Sequence, residues 1–236
     1  VSFSVIDLYC GEGGAAEGYR QAGATLIVGV DLSKQPRYPF GFLLADGTTM
    51  DPRFIRQFDL AHASPPCQFG TELNSDKSRH LNLIPQTRAL LQAAGVPYVI
   101  ENVRAVRPHL IEPVSLFGFM FGNKMTTTRG EVFHLSRERL FETNWGLTAP
   151  ALWSPQQPIA NVFGGHLRSR SGEYRTGNGT GRTRDFIGED KPALARELMG
   201  MPWATMNGIS EAVPPSFTRY IGEQFLAHRQ QARAAA

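Results

Sequence analysis

The sequence predicts an α/β protein built on a mostly parallel sheet. Two observations carry that expectation. A short apolar run, Val5-Ile6-Asp7-Leu8-Tyr9, meets a glycine-rich turn, a helical pattern, a second apolar run and an acid. That order is a βαβ unit. Further apolar runs at Leu43-Leu44-Ala45, Phe58 to Ala63 and Tyr98-Val99-Ile100 then alternate with helical or polar stretches. A third observation limits the sheet. From about Asn144 to Gly188 the composition turns to Gly, Ser, Thr and Arg, which predicts a small irregular segment.

The elements follow in order. The turn Cys10-Gly11-Glu12-Gly13-Gly14 ends the first strand, and Gly11 and Gly13 let the chain bend tightly and a ligand approach. The helix after it, to about Ala22, starts with unpaired N–H groups facing the same space. Thr25 to Val30 is the second strand, and Asp31 lies twenty positions after Gly11, where a carboxylate accepts ribose hydroxyls. Together these point to an adenosine-containing ligand; a tight turn with a solvated Asp is the competing reading. Gln35 to Phe42 reads as a loop. Asp46 ends the next strand, either as an acceptor for an adenine amino group or as a turn residue before Gly47.

Phe58 to Ala63 leads into Ser64-Pro65-Pro66-Cys67-Gln68. The prolines end the strand, because neither donates a backbone hydrogen bond. They also stiffen the chain, so the Cys67 thiol is predicted at a strand tip, a placement that suits a nucleophile; a buried inert cysteine is the alternative. Residues 69–81 are polar and aperiodic, as a mobile active-site loop would be. Leu83 to Ala94 has helical spacing and stops at Gly95 and Pro97. Glu101 follows the strand Tyr98-Val99-Ile100, and a carboxylate there must leave the core or be paired. At the carboxyl edge of a parallel sheet it shares a cleft with Cys67.

Leu116 to Gly122 is an aromatic stripe, read as core. Arg137 to Glu142 alternates as a strand, which sets Arg137 and Arg139 on one face, useful to a carbonyl oxygen or phosphate. Arg168, Arg170, Arg175, Arg182 and Arg184 face one acid, Glu173, in a stretch with little apolar material. It reads as a basic, adaptable surface for phosphates and base edges, or as a plain flexible loop. Pro192 to Met201 and Ser216 to about Arg229 are helices.

Composition adds bounds. The chain has 236 residues, 42% hydrophobic and 19% charged, with net charge +3, an ordinary globular balance that permits nucleic acid without requiring it. Two cysteines, Cys10 and Cys67, make no disulfide framework, and no His/Cys cluster has zinc-ligand spacing, so no metal is expected. No apolar run nears the roughly 18 residues of a membrane span and no leader pattern opens the sequence, so a cytoplasmic protein is expected.

The ordered set Asp7-Leu8-Tyr9-Cys10-Gly11-Glu12-Gly13-Gly14, Pro65-Pro66-Cys67-Gln68, Glu101-Asn102-Val103, Arg137-Glu138-Arg139 and Ala212-Val213-Pro214-Pro215 resembles the DNA (cytosine-5) methyltransferase family. The resemblance implies a Rossmann-like sheet that binds S-adenosylmethionine, with a small target-recognition segment. It implies residues 1–143 as the catalytic domain, 144–188 as the recognition segment and 189–236 as the return to the catalytic domain. By position, Cys67 is the nucleophile, Glu101 engages the cytosine ring, Arg139 contacts the base carbonyl and Arg137 supports them. Asp7, Tyr9, Gly11, Gly13, Gly14, Asp31, Asp46, Pro65 and Ala212 line the cofactor pocket. Gln68 and the five arginines of the basic segment meet double-stranded DNA with a flipped cytosine, and a monomer is expected.

This sequence departs from the family pattern at Leu135, where glutamine is usual, at Ser210-Glu211, where Gly-Asn is usual, and in a recognition segment of only about 45 residues. Glu211 keeps open an enzyme that moves a different group from a modified S-adenosylmethionine, or a weak pseudoenzyme. A nicotinamide-dependent Rossmann protein accounts for the glycine loop but not for Pro-Pro-Cys-Gln.

Overall fold

The computed structural model describes residues 2–66, 81–151, 158–170 and 186–234. Each predicted strand is a short apolar run that meets a breaker. β1 (Phe3–Leu8) ends at the glycine loop and α1 (Gly14–Gln21) follows. β2 (Ala24–Asp31), β3 (Gly41–Leu44), α2 (Pro52–Ile55), β4 (Leu60–Ala63), α3 (Ile84–Ala94) and β5 (Tyr98–Asn102) come next. β6 (Val114–Phe117), β7 (Lys124–Thr126), β8 (Val132–Leu135) and β9 (Glu138–Thr143) precede β10 (Ile159–Phe163) and β11 (His166–Arg170). α4 (Lys191–Met199), α5 (Met206–Glu211) and α6 (Pro215–Ala234) complete the order.

Among the described residues the main sheet has the order β3-β2-β1-β4-β5-β9-β6. β3, β2, β1, β4 and β5 run parallel, while β9 is antiparallel to both β5 and β6. Strand order reverses between β1 and β4, the switch point at which such sheets open a crevice at their carboxyl ends. One face is covered by α1 and α6, through Ala15, Ala16, Tyr19, Phe217, Ile221 and Phe225. The other is covered by α2 and α3, through Ile55, Ile84, Leu91 and Ala94. A fully buried side chain of this size contributes about 1.5–3 kcal/mol, so both helical layers are held by many such terms.

Glu142 of β9 fastens α3 to the sheet. It is 1% exposed. It accepts from Arg88 Nε at 2.6 Å, from Arg88 Nη2 at 2.7 Å and from the Ile111 N–H at 2.8 Å. Glu142→Ala would strand the Arg88 guanidinium beside the buried strand. The expected loss is about 3 kcal/mol of unfolding free energy, read by urea titration, and a change below about 0.5 kcal/mol would show the pair to be dispensable.

The second sheet, β11-β10-β8-β7, changes two expectations. It draws on β7 and β8, which lie before residue 144, and packs on α4, which lies after 188; Met125, Phe133, Leu135, Ala160, Val162, Leu167, Leu194 and Leu198 share one core. The basic segment also begins as an ordered hairpin. β10 and β11 pair antiparallel across Gly164-Gly165, both at positive φ (57° and 74°), a turn that suits the strands' twist. The apolar material it lacks locally comes from β8 and α4. Leu135, the departure from the family pattern, is part of that core and lies against Gly118. The aromatic stripe is core only in part: Leu116 and Gly118 are buried, whereas Phe117, Phe119 and Phe121 are half-buried, because the segment forms a short 3-10 turn at the sheet edge. The last helix runs to Ala234, past the predicted end at Arg229.

Candidate active site

The glycine loop sits on the carboxyl edge of β1. Gly13, with φ 86°, is the residue from which α1 starts, a conformation costly for any side chain. Gly14 is buried, and a Cβ there would run into the Val213 carbonyl and the Met201 sulfur. Its role is therefore packing: it lets the Ala212-Val213 segment lie against the loop. Gly11 differs, since a Cβ there meets nothing within 4 Å, so its backbone borders open space. Asp31 ties that loop down, with Oδ2 accepting from Gly11 N–H at 3.1 Å and Oδ1 from Ser33 N–H at 2.9 Å. Leu32, 68% exposed, gives apolar surface directly beside it. Tyr9 has φ 61°, a left-handed backbone that costs a non-glycine residue about 1 kcal/mol or more, and its hydroxyl bonds Thr87 at 2.8 Å. Asp46 caps its own turn, accepting from Thr48 N–H at 2.8 Å and Thr48 Oγ1 at 2.7 Å on Oδ1.

These residues fit an adenosine-type cofactor: an open glycine edge, an anchored carboxylate for hydroxyls and an apolar wall next to it. Asp7 does not line that crevice. It is 1% exposed, under the loop in β1. Burial pushes its carboxyl well above the usual range, and the nearby Asp31 and Glu101 push it further. Gly14 is likewise a packing residue instead of a pocket residue.

Cys67 and Gln68 lie outside the described residues. The corner leading to them is described. Pro65 is buried and Pro66 exposed. Asn102, 2% exposed, donates from Nδ2 to the Pro65 carbonyl at 2.8 Å, while its Oδ1 accepts from Val103 N–H at 2.9 Å. The ends of β4 and β5 are thus stitched by one amide, and Glu101 stands one residue before it. Glu101 Oε1 pairs with Arg139 Nε at 2.9 Å. Burial raises the Glu101 carboxyl above its usual range, against the opposing pull of Arg139, a hydrogen bond from Ser64, and Arg137. The result is a carboxyl biased towards the acid form, with a guanidinium fixed beside it.

Arg137 is corrected by the structure. The prediction set both guanidiniums on one face for a substrate oxygen. Instead Arg137 is 1% exposed and donates to two main-chain carbonyls, Val162 at 2.7 Å and Ser210 at 2.6 Å. It braces β10 and the end of α5 against the start of β9. Arg137→Met would leave both carbonyls without that donor, and about 3 kcal/mol of stability should be lost, measured by chemical denaturation. A variant as stable as the parent would contradict the brace.

The glycine loop is also tied to α5: Glu12 accepts from Thr205 N–H at 2.7 Å and Thr205 Oγ1 at 2.6 Å, and its carbonyl accepts from Trp203 Nε1 at 2.8 Å. Glu211 is exposed at the end of α5. In the basic segment, Arg168 is half-buried with its guanidinium 4.3 Å from the Phe163 ring centre, and Arg170 ends β11. Arg175, Arg182 and Arg184 lie outside the described residues. Among the described residues no group of His, Cys, Asp and Glu could hold a metal ion, and no helix is long and apolar enough to cross a membrane.

Sequence reasoning passed over His62, which sits inside an apolar run. It is fully buried. Nδ1 lies 2.9 Å from Tyr19 Oη, and Nε2 lies 3.1 Å from Ser64 Oγ. Burial lowers its imidazole to about 3, against about 6.5 unfolded. Between those values the unfolded chain carries the extra proton, so this residue's contribution is complete above about 6.5 and is lost as pH falls towards 3. Asp7 and Glu101, both raised, act the other way and lose stability as pH rises through the carboxylate range. His62→Gln removes the first dependence. The stability advantage of the parent over this variant should shrink by about 2 kcal/mol between pH 7 and pH 5, measured by urea unfolding; a pH-independent difference would contradict a buried neutral imidazole.

No family model matches the chain. A Type II methyltransferase of Thalassovita gelatinovora, M.AgeI, is 31% identical over 116 residues, a match covering 42% of this chain and 27% of that protein. The match thus spans about a quarter of the relative's length. A solved structure from E. coli, described as a prophage-encoded DNA modification methyltransferase, superposes with TM-score 0.59 at 13% identity, covering 96% of this chain and 99% of the other. The Dnmt2 methyltransferase of S. pombe superposes with TM-score 0.60 at 13% identity, with coverage of 96% and 99%. Both share this chain's Rossmann-like α/β fold.

Proposed function

We propose that this chain is an S-adenosylmethionine-dependent DNA methyltransferase that acts on carbon 5 of cytosine. The observation that carries the proposal is the Glu101–Arg139 pair at the carboxyl edge, one residue from the amide that holds the Pro65-Pro66 corner before Cys67. The sequence match to a Type II methyltransferase supports the activity class.

Carbon 5 of cytosine is a poor nucleophile. The Cys67 thiolate adds to carbon 6 and pushes electron density into the ring. Glu101, biased towards its acid form, gives a proton to the ring nitrogen as that charge develops, and Arg139 holds the carboxyl and faces the base carbonyl. When bound, S-adenosylmethionine supplies an electrophilic methyl group. Loss of the carbon 5 proton to a base then expels the thiolate, and the ring nitrogen returns its proton to Glu101. The target atom is hidden in a duplex, so the base is turned out of the stack. Gly11, Asp31 and Leu32 hold the cofactor's adenosine end, with Tyr9 and Asp46 bordering it. Arg168 and the basic segment meet the DNA backbone.

The test is transfer of labelled methyl from S-adenosylmethionine to genomic DNA, followed by bisulfite sequencing. New 5-methylcytosine at a recurrent sequence is expected. Label carried only by adenine or by an exocyclic amine would overturn the assignment of the target atom.

A further inference from the structure

A row of polar side chains crosses the α1 face of the sheet and ends on Glu101. Asp7 pairs in register with His62, and His62 with Val99, so all three share a face. The same register places Ala63 opposite Ile100, which brings Ser64 beside Glu101. Tyr19 Oη meets His62 Nδ1 at 2.9 Å and His62 Nε2 meets Ser64 Oγ at 3.1 Å, and the strand register sets Ser64 beside Glu101, where its hydroxyl favours the ionised carboxyl. The neighbours Leu60, Ala61 and Ala63 are fully buried and apolar. A polar row among such residues is costly to bury. Tyr19, His62 and Ser64 bond one another, while among the described residues both Asp7 carboxylate oxygens and, its ion pair with Arg139 aside, Glu101 Oε1 are buried without a hydrogen-bond partner.

We propose that His62 and Ser64 are positioning residues for Glu101: His62 fixes the rotor of Ser64, and Ser64 sets the orientation and the charge preference of the carboxyl. The inference rests on the reading of Glu101 as the acid that serves the cytosine ring. An imidazole kept neutral by burial has one donor and one acceptor nitrogen. With Tyr19 donating to Nδ1, Nε2 carries the proton and donates to Ser64 Oγ, which leaves the Ser64 hydroxyl hydrogen for Glu101. Three hydrogen bonds then point one way, towards the carboxyl, and favour its ionised form. The other groups facing Glu101 are Arg139 and Arg137 from the β9 side and Asp7 from β1. Arg139 and Arg137 favour the carboxylate, and burial favours the acid. The relay therefore acts with the arginines against burial, and the opposition between them sets how readily the carboxyl gives and takes a proton.

The test titrates Glu101 itself, by carbon NMR of protein labelled at the glutamate carboxyl, with Glu101→Gln assigning the signal. No substrate is needed. Ser64→Ala should raise the midpoint by about one pH unit, and Ser64→Thr should restore it. His62→Phe should move it the same way by a smaller amount; His62→Gln replaces it if the phenylalanine variant does not fold. Midpoints that stay in place in Ser64→Ala and in a folded His62 variant, with only the thermal transition lowered, would reduce the row to a structural role and overturn the proposal. Shifted midpoints in a protein that transfers no methyl group would sink the proposed function and keep the relay, whereas methyl transfer with unmoved midpoints would do the reverse.

Discussion

Replacing Cys67 with serine should lower methyl transfer to DNA by roughly 10,000-fold or more, with the fold and cofactor binding unchanged. The size of the effect follows from the chemistry. Without addition at carbon 6 the pyrimidine has no means of making carbon 5 nucleophilic, and a serine hydroxyl is not ionised near neutral pH. The residue stands outside the described part of the chain, but the segment that delivers it does not: Pro65 is held through its carbonyl by Asn102, and Pro66 follows on the surface. Cys10, the other thiol, is 7% exposed, and burial, aided by Asp7 and Asp31, pushes it far above the usual thiol range. It cannot substitute. Single-turnover rates with labelled cofactor check the expectation, and residual activity within tenfold of the parent would place the nucleophile elsewhere.

Glu101→Gln should cost roughly 1,000-fold in the chemical step. Glutamine keeps the shape and can still accept from Arg139 and Ser64, so loss of a transferable proton is isolated from loss of packing. Because burial raises the carboxyl, it takes up a proton more readily than an exposed glutamate does. Replacement also removes a buried charge partner from Arg139, whose side chain is 13% exposed. A modest stability change is therefore expected beside the large rate change. Rates at saturating DNA and cofactor, read together with thermal unfolding, separate the two. A variant that loses binding and keeps its turnover would show that Glu101 holds the base without proton transfer.

The fold was largely legible where neighbours in sequence are neighbours in space. The unit from Val5 to Asp31 needs only local information: an apolar run, two glycines, a helical period, an acid. Glu101 was legible for a related reason, since a carboxylate at the end of a buried run must find a partner. Its partner Arg139 was foreseen at the same site as a base contact; the ion pair with Glu101 was not foreseen. Arg137 was misread because its burial depends on carbonyls of Val162 and Ser210, 25 and 73 residues away. Nothing near Arg137 announces them. The second sheet was missed for the same reason. Its strands are short, and Met125, Phe133 and Leu135 make a core only when Ala160, Val162 and Leu194 are brought against them. His62 was absorbed into an apolar run because Tyr19 lies 43 residues away. An ionisable residue inside such a run was the signal that could have found it.

The most direct measurement uses duplex DNA in which every cytosine carries fluorine at carbon 5, so no proton can leave that carbon and the thiolate is not expelled. Incubated with this DNA and S-adenosylmethionine, the protein should form a covalent adduct with the mass of protein, nucleotide and one methyl group, and peptide mapping should place it on Cys67. An adduct on any other residue, or none from protein shown to bind both DNA and cofactor, would contradict the account.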